Sequence, residues 1–225
     1  MGKSKELATG AAYVDASGDT MTGDLVLDKQ TATSQDAILN SVKFVNSYAS
    51  PNYIASIDAY KGYYDNNIGF KFNTQVGGAG GSAVSLSAMT IDASGRVTMP
   101  YQPSFHAYDA TGHTWANQEV IGASTSYNVG NHYNTSTGRF TAPVSGVYIF
   151  KADWRTSGGG NWVDIRTSNG RIARHEENGS YLNHFHQSLV LMAQMSAGDY
   201  AYVYAGSQLR WDASQINGFS GMLLG

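Results

Sequence analysis

From residue 51 onward, apolar and polar positions alternate with period two, the spacing of half-buried β-strands, in YIASIDAYKGYY, IGFKFNTQ and SAVSLSAMTID. MTIDASGRVTMP adds two short strands around Asp92, Ala93, Ser94 and Gly95, the residue types that turn a hairpin. Beyond Pro100 and Pro103 the alternation continues through SFHAYDA, QEVIGA, GRFTAPV, GVYIFKADWRT, WVDIRTS, RIARHEE, HFHQSLVLMAQM, DYAYVYAG and GFSGMLLG, separated by Gly and Asn turns. No long helix interrupts these runs, and so many short antiparallel strands predict a sandwich or jelly roll. One segment differs. SQDAILNSVKFVNS, residues 34–47, offers a capping residue and apolar positions at Ile38, Leu39, Val42, Phe44 and Val45, which predicts a short helix able to form a three-helix collar.

Residues 1–34 hold too few large apolar side chains to bury a core of their own, so this segment needs a partner. Within it GDTMTGDLVL, residues 18–27, sets a short apolar strand between Gly-Asp turn signals. The glycine cluster GGAGG at residues 77–81 reads as a loop. A phosphate cradle would need a GK[ST] and a following helix, and a strand pattern follows instead. The chain therefore divides into an attachment or shaft segment (1–34), an intertwined β shaft or collar with the short helix (35–100) and an all-β head (101–225).

Composition narrows the function classes. The chain has 26 glycines, 4 prolines and 15 tyrosines, and charged residues make up 14%. Neither disorder, which needs high net charge, nor collagen, which needs glycine at every third position, fits. A formal net charge of -3 and the lack of a Lys/Arg run give nucleic acid no electrostatic purchase. The absence of cysteine rules out disulfides and suits folding in a reducing cytoplasm. MGKSKELATG lacks the apolar run of a signal peptide, and no stretch is long and apolar enough to span a bilayer, so neither classical secretion nor membrane insertion is expected.

The head resembles the C1q-like and tumour-necrosis-factor-like jelly rolls. The pieces occur in order: SFHAY, the long signature YNTSTGRFTAPVSGVYIF (residues 133–150), an Asn-Gly turn at Asn169, SLVLMAQMSAGDYAYVYA, and the closing GFSGMLLG. In such a head Phe140, Val144, Val147 and Phe150 point into the core, Gly138 and Gly146 supply turns, and Phe219 and Leu223 begin and end a last, central strand. The resemblance implies a tight homotrimer, with Tyr148, Tyr202, Tyr204 and Met222 as interface candidates. A second resemblance lies upstream. GDTMTGDLVL is similar to a repeat of bacteriophage tail-fibre shafts, and AMTIDASGRVTMP to the strand-turn-strand that often precedes a fibre tip.

Catalytic constellations are weak. Glu176 and Glu177 are adjacent and face opposite ways on a strand, and Asp153, Asp164 and Asp212 read as surface acids in or near turns, so no carboxylate pair of a glycosidase emerges. There is no G-x-S-x-G elbow. The one metal-like spacing is His184-Phe185-His186, two imidazoles on one strand face that a threefold axis would multiply into a transition-metal site; no other cofactor is implied. Recognition is expected from aromatic and polar groups on head loops: Trp154, Arg155, Trp162, Tyr181, Arg210 and Trp211, with GGGN at residues 158–161 letting a loop project. These readings together describe a non-enzymatic receptor-binding fibre protein, made in the host cytoplasm and located in the virion. Its amino terminus would join the tail, baseplate or an adaptor, and its head would bind a bacterial surface glycan or protein. The alternatives are a bacterial C1q-like surface or spore adhesin and a small glycan depolymerase tail spike.

Overall fold

The computed structural model describes residues 34–46, 53–63, 67–76, 84–157, 162–176, 183–213 and 217–225. The chain forms two compact units, Met1–Thr98 and Met99–Gly225. Among the described residues both are all-β, with antiparallel sheets and no helix. The tail-like GDTMTGDLVL and GGAGG segments lie outside the described residues.

The first unit is a five-stranded meander, β1 (Ile38–Asn46), β2 (Tyr53–Lys61), β3 (Ile68–Val76), β4 (Val84–Ile91) and β5 (Val97–Thr98), in sequential order. The helix predicted over residues 34–47 is thus corrected to a strand. Its β-branched and aromatic residues pair with the next strand, Val42 opposite Ile57 and Phe44 opposite Ala55, and this ladder outweighs a weak local helical spacing. The described strands of this region pair in sequence as a meander.

Strand alternation sorts the meander into two faces. Val42, Ile57, Phe72 and Met89 form one row across four strands, and Ala59, Phe70, Ile91 and Val97 form the next. The other face is polar: Asn73 donates to Asp58 (2.7 Å) and Ser56 (3.0 Å), and the Lys71 ammonium sits 4.4 Å from the Tyr60 ring centroid. Gly69 lies opposite Tyr60 because a Cβ there would meet the ring at 2.5 Å.

The second unit comprises β6 (Ser104–Tyr108), β7 (His113–Trp115), β8 (Gln118–Glu119), β9 (Ser124–Val129), β10 (Tyr133–Asn134), β11 (Arg139–Thr141), β12 (Gly146–Ser157), β13 (Trp162–Thr167), β14 (Gly170–Glu176), β15 (Asn183–Met195), β16 (Tyr200–Ala205), β17 (Leu209–Trp211) and β18 (Gly218–Leu223). One sheet runs β10-β11-β16-β13-β14 with β8 on β16; the other runs β7-β17-β12-β18-β6-β9 with β15 on β12. The last strand lies between β12 and β6, closing a jelly-roll sandwich.

Its centre is aromatic. The Phe105 ring stacks on Tyr133 and Phe140, both at 4.9 Å between centroids, and meets Phe219 edge-on at 5.0 Å. Gly221 stands between Phe105 and Phe150 on the neighbouring strands, where a Cβ would meet the Phe150 ring at 2.5 Å. Phe140, Phe150 and Phe219 occupy the core as expected, and Leu223 packs against it. Val144 and Val147 do not: Val144 is exposed, and Val147 lies on the outer face of β12 because Tyr148 takes the inward parity. Gly138 is a true left-handed turn (φ 73°), whereas Gly146 begins β12 and is required by space, with Leu223 2.7 Å from where its Cβ would be.

Candidate binding surfaces of the head

The outer face of the β15-β12-β18-β6 sheet grades from apolar to charged along its strands. Met192, Ile149, Met222 and Ser104 form one row, and Val190, Lys151, Ser220 and His106 the next. Val190, Met192 and Met222 are exposed at 55%, 68% and 44%, large apolar side chains that one chain leaves in water. A shallow depression beside them is lined by Tyr127, Ile149, Lys151, Ser220 and Met222. Further along, Lys151 pairs with Asp153 (2.9 Å), which also accepts from the Ser188 hydroxyl. His106 bonds Ser126 at 2.9 Å, and burial pushes its pKa down.

Of the four interface candidates, Met222 lies on this face. Tyr148 lies in the core instead, because the parity of β12 turns it inward and its hydroxyl donates to the Val144 carbonyl (2.8 Å). Tyr202 and Tyr204 project from the opposite sheet, alternating with buried Ala201, Val203 and Ala205.

That opposite sheet carries a charged and aromatic layer. Asp164 is fully buried beneath two arginines, Arg166 Nη2 at 2.7 Å and Arg174 Nε at 2.7 Å. Burial would raise its pKa, but the arginine hydrogen bonds outweigh that and hold the carboxyl below the usual range. The Arg174 guanidinium lies 3.7 Å over the Trp162 ring, Arg166 lies 3.8 Å over Tyr204, and the two rings stack at 5.7 Å. Arg139 continues the layer, bonded to Glu119 (2.6 and 3.0 Å) and lying over Tyr200. Reading Asp164 as a surface acid near a turn is therefore corrected. Its i, i+2 spacing with Arg166 on one strand face was visible in the sequence; Arg174 joins only through the β13–β14 register.

The distal end of the head, away from where Leu223 bonds back to Pro103, holds the remaining candidates that lie among the described residues. Trp154 and Trp211 were expected on loops; they sit within β12 and at the end of β17, each 1% exposed, inside the core. Alternation explains this, since Trp154 and Trp211 turn in while their neighbours Arg155 and Arg210 turn out. Trp211 packs edge-on against Trp115 at 5.2 Å, a residue the sequence reading passed over. Trp162 keeps partial exposure, and Tyr181 lies outside the described residues.

Arg155 bonds Asp212 at 2.8 Å and Arg210 bonds it at 3.2 Å. The Asp212 amide donates to Asn217 Oδ1 (3.1 Å), and Asn217 Nδ2 lies 3.2 Å from His186 Nδ1. Burial would raise the pKa of Asp212, but Arg155 and Arg210 hold it low. His184 lies in β15, with its side chain outside the described residues. For His186, an Nδ1 that accepts from Asn217 leaves the proton of the neutral ring on Nε2, the atom that a shared metal would need free. A further acid missed in the sequence, Asp109, is buried and bonds Thr111 (2.7 Å) and His113 Nδ1 (2.9 Å), organising the turn after β6.

A family profile described as C1q domain matches residues 104–224. Among solved structures, the globular domain of zebrafish complement 1qA protein is similar at 16% identity and TM-score 0.48, covering 55% of this chain and 98% of that one. Eiger TNF from S. frugiperda is similar at 14% identity and TM-score 0.44, covering 55% and 91%. Murine APRIL at pH 5.0 is similar at 10% identity and TM-score 0.45, covering 54% and 98%. A comparison with curated proteins gives no match.

Proposed function

This chain belongs to the C1q-domain family, and from that premise we propose that it is a homotrimeric, non-enzymatic adhesin, the receptor-binding protein of a virion tail fibre. One observation carries the assembly part: a single chain leaves two apolar sheet faces in water. On the head these are Val190, Met192 and Met222. On the meander they are Val42, Phe44, Ile57, Ile68, Phe70 and Val97, exposed by 36 to 60%. Large apolar side chains grouped on one exposed face mark an interaction surface. A sheet with an apolar face needs a second layer, and copies of the same face supply one without opposing charges.

The adhesive part rests on the family, whose members are binding domains, and the virion part on the resemblance of residues 18–27 to a fibre-shaft repeat and of residues 88–100 to the strand-turn-strand that often precedes a fibre tip. Threefold repetition lets weak single-site contacts act together. Light scattering coupled to sizing should return three chain masses, and Met192→Glu should weaken association at least tenfold by placing a charge in the contact. A wild-type monomer at micromolar concentration would refute the assembly. Attachment of labelled protein to intact bacteria, lost when surface glycan is stripped, is the expected adhesion result; release of oligosaccharides from that glycan would overturn the non-enzymatic reading.

A further inference from the structure

We propose that the distal end of the head carries an oxyanion-binding site, formed by Arg155, Arg210 and His186, that takes the carboxylate, sulfate or phosphate of an acidic surface glycan. The glycan as the source of the anion rests on the adhesive reading above; the site itself rests on the following geometry.

Three neighbouring strands bring the groups into one row. On β12, Arg155 stands opposite His186 of β15 on one side and opposite Arg210 of β17 on the other. Directly opposed residues of antiparallel strands share a face with Cβ atoms about 5 Å apart, and like charges there repel. Asp212 relieves this only in part, because its single carboxylate serves two guanidiniums. Asp153, one position along the same face, is held by Lys151 and Ser188. The cluster therefore keeps net positive charge.

Its free valences are all donors. Arg210 is half exposed with Asp212 bonded at its Nε, which leaves its Nη donors to an incoming anion, and Arg155, whose Nε is buried without an acceptor, adds positive charge beside it. The orientation of Asn217 is set by the Asp212 amide, so its Nδ2 faces His186 Nδ1 and leaves Nε2–H as the ring's donor on an exposed residue. A patch that presents planar guanidinium forks and an imidazole N–H, with its one carboxylate already engaged, complements an oxyanion and repels a metal cation. Along β12 the site lies past Asp153, which pairs with Gly218 at the end of β18 opposite to Leu223 and its bond to Pro103.

Titration calorimetry of the full-length protein at low salt with glucuronate, glucose 6-phosphate and glucose 6-sulfate tests the site, with neutral glucose as the control. At least one anion should bind, glucose should bind at least tenfold more weakly, and added salt should weaken the anion. Arg210→Gln should lose at least tenfold in affinity with circular dichroism and oligomeric state unchanged, and Arg210→Lys, which keeps charge but not the planar fork, should lose less. Preference among the three anions identifies the source of the oxyanion. Failure of all three, or an Arg210→Gln variant that binds as tightly as wild type, overturns the site. Cell attachment separates the two readings. Attachment without anion binding overturns the site and leaves adhesion standing, and anion binding without attachment does the reverse.

Discussion

Replacing Asp164 with alanine is expected to destabilise the head by about 3 kcal/mol, the low end of the range for breaking a buried ion pair, because the two arginines it serves keep 25% and 27% of their side-chain surface in water. The loss has two parts. Arg166 and Arg174, diagonal neighbours across β13 and β14, would lose their shared counterion, and their hold over the Tyr204 and Trp162 rings would loosen. The sign of the pH dependence follows from the depressed pKa of Asp164. Its stabilisation is complete above about pH 5 and is lost as the pH falls through the unfolded value near 3.9 toward the lower folded one. Urea denaturation of wild type and Asp164→Ala at pH 7 and pH 3 checks this: the two should differ by about 3 kcal/mol at neutral pH and by less at pH 3. Equal stabilities at pH 7 would show that the layer is energetically idle.

Phe105→Ala should cost still more, about 3–5 kcal/mol, the range for truncating a buried aromatic. Phe105 is fully buried and touches Tyr133, Phe140 and Phe219 at once, so the cavity would open where both sheets meet. Gly221, which leaves room for the ring, supplies no side chain to refill the space. For a domain of this size the melting temperature should fall on the order of 10–20 °C. Phe105→Leu, which retains most of the apolar volume, should recover more than half of that. A fall of less than about 3 °C for the alanine variant would mean that the aromatic stack relaxes around the gap instead of supporting the fold.

Much of the head was legible in advance because its strands alternate cleanly and its central signature is long. SFHAY reads directly as a strand whose alternate residues, Phe105 and Ala107, are buried. Residues 34–47 were misread because Ile38, Val42 and Val45 satisfy a helical spacing as well as a strand, and only pairing with β2 separates the two. Trp154 and Trp211 were misplaced for a different reason. Their chemistry suits recognition as well as a core, and the alternation that sends Trp154 inward and Arg155 outward could have been applied to choose between them. Arg155 and Arg210, expected on loops, stand on β12 and β17, and their union with His186 comes from three strands distant in sequence.

By itself, then, the sequence determined the β periodicity, the turn positions, the family signature and the lack of a strong charge field. These depend on near neighbours and on composition, which a linear chain displays in full. Only the tertiary structure decided which parity of each strand faces the core, that Asp164 lies under two arginines, and which apolar rows remain in water. Alternation tells that successive side chains point to opposite faces; which of those faces is covered depends on register and on the sheet packed against it.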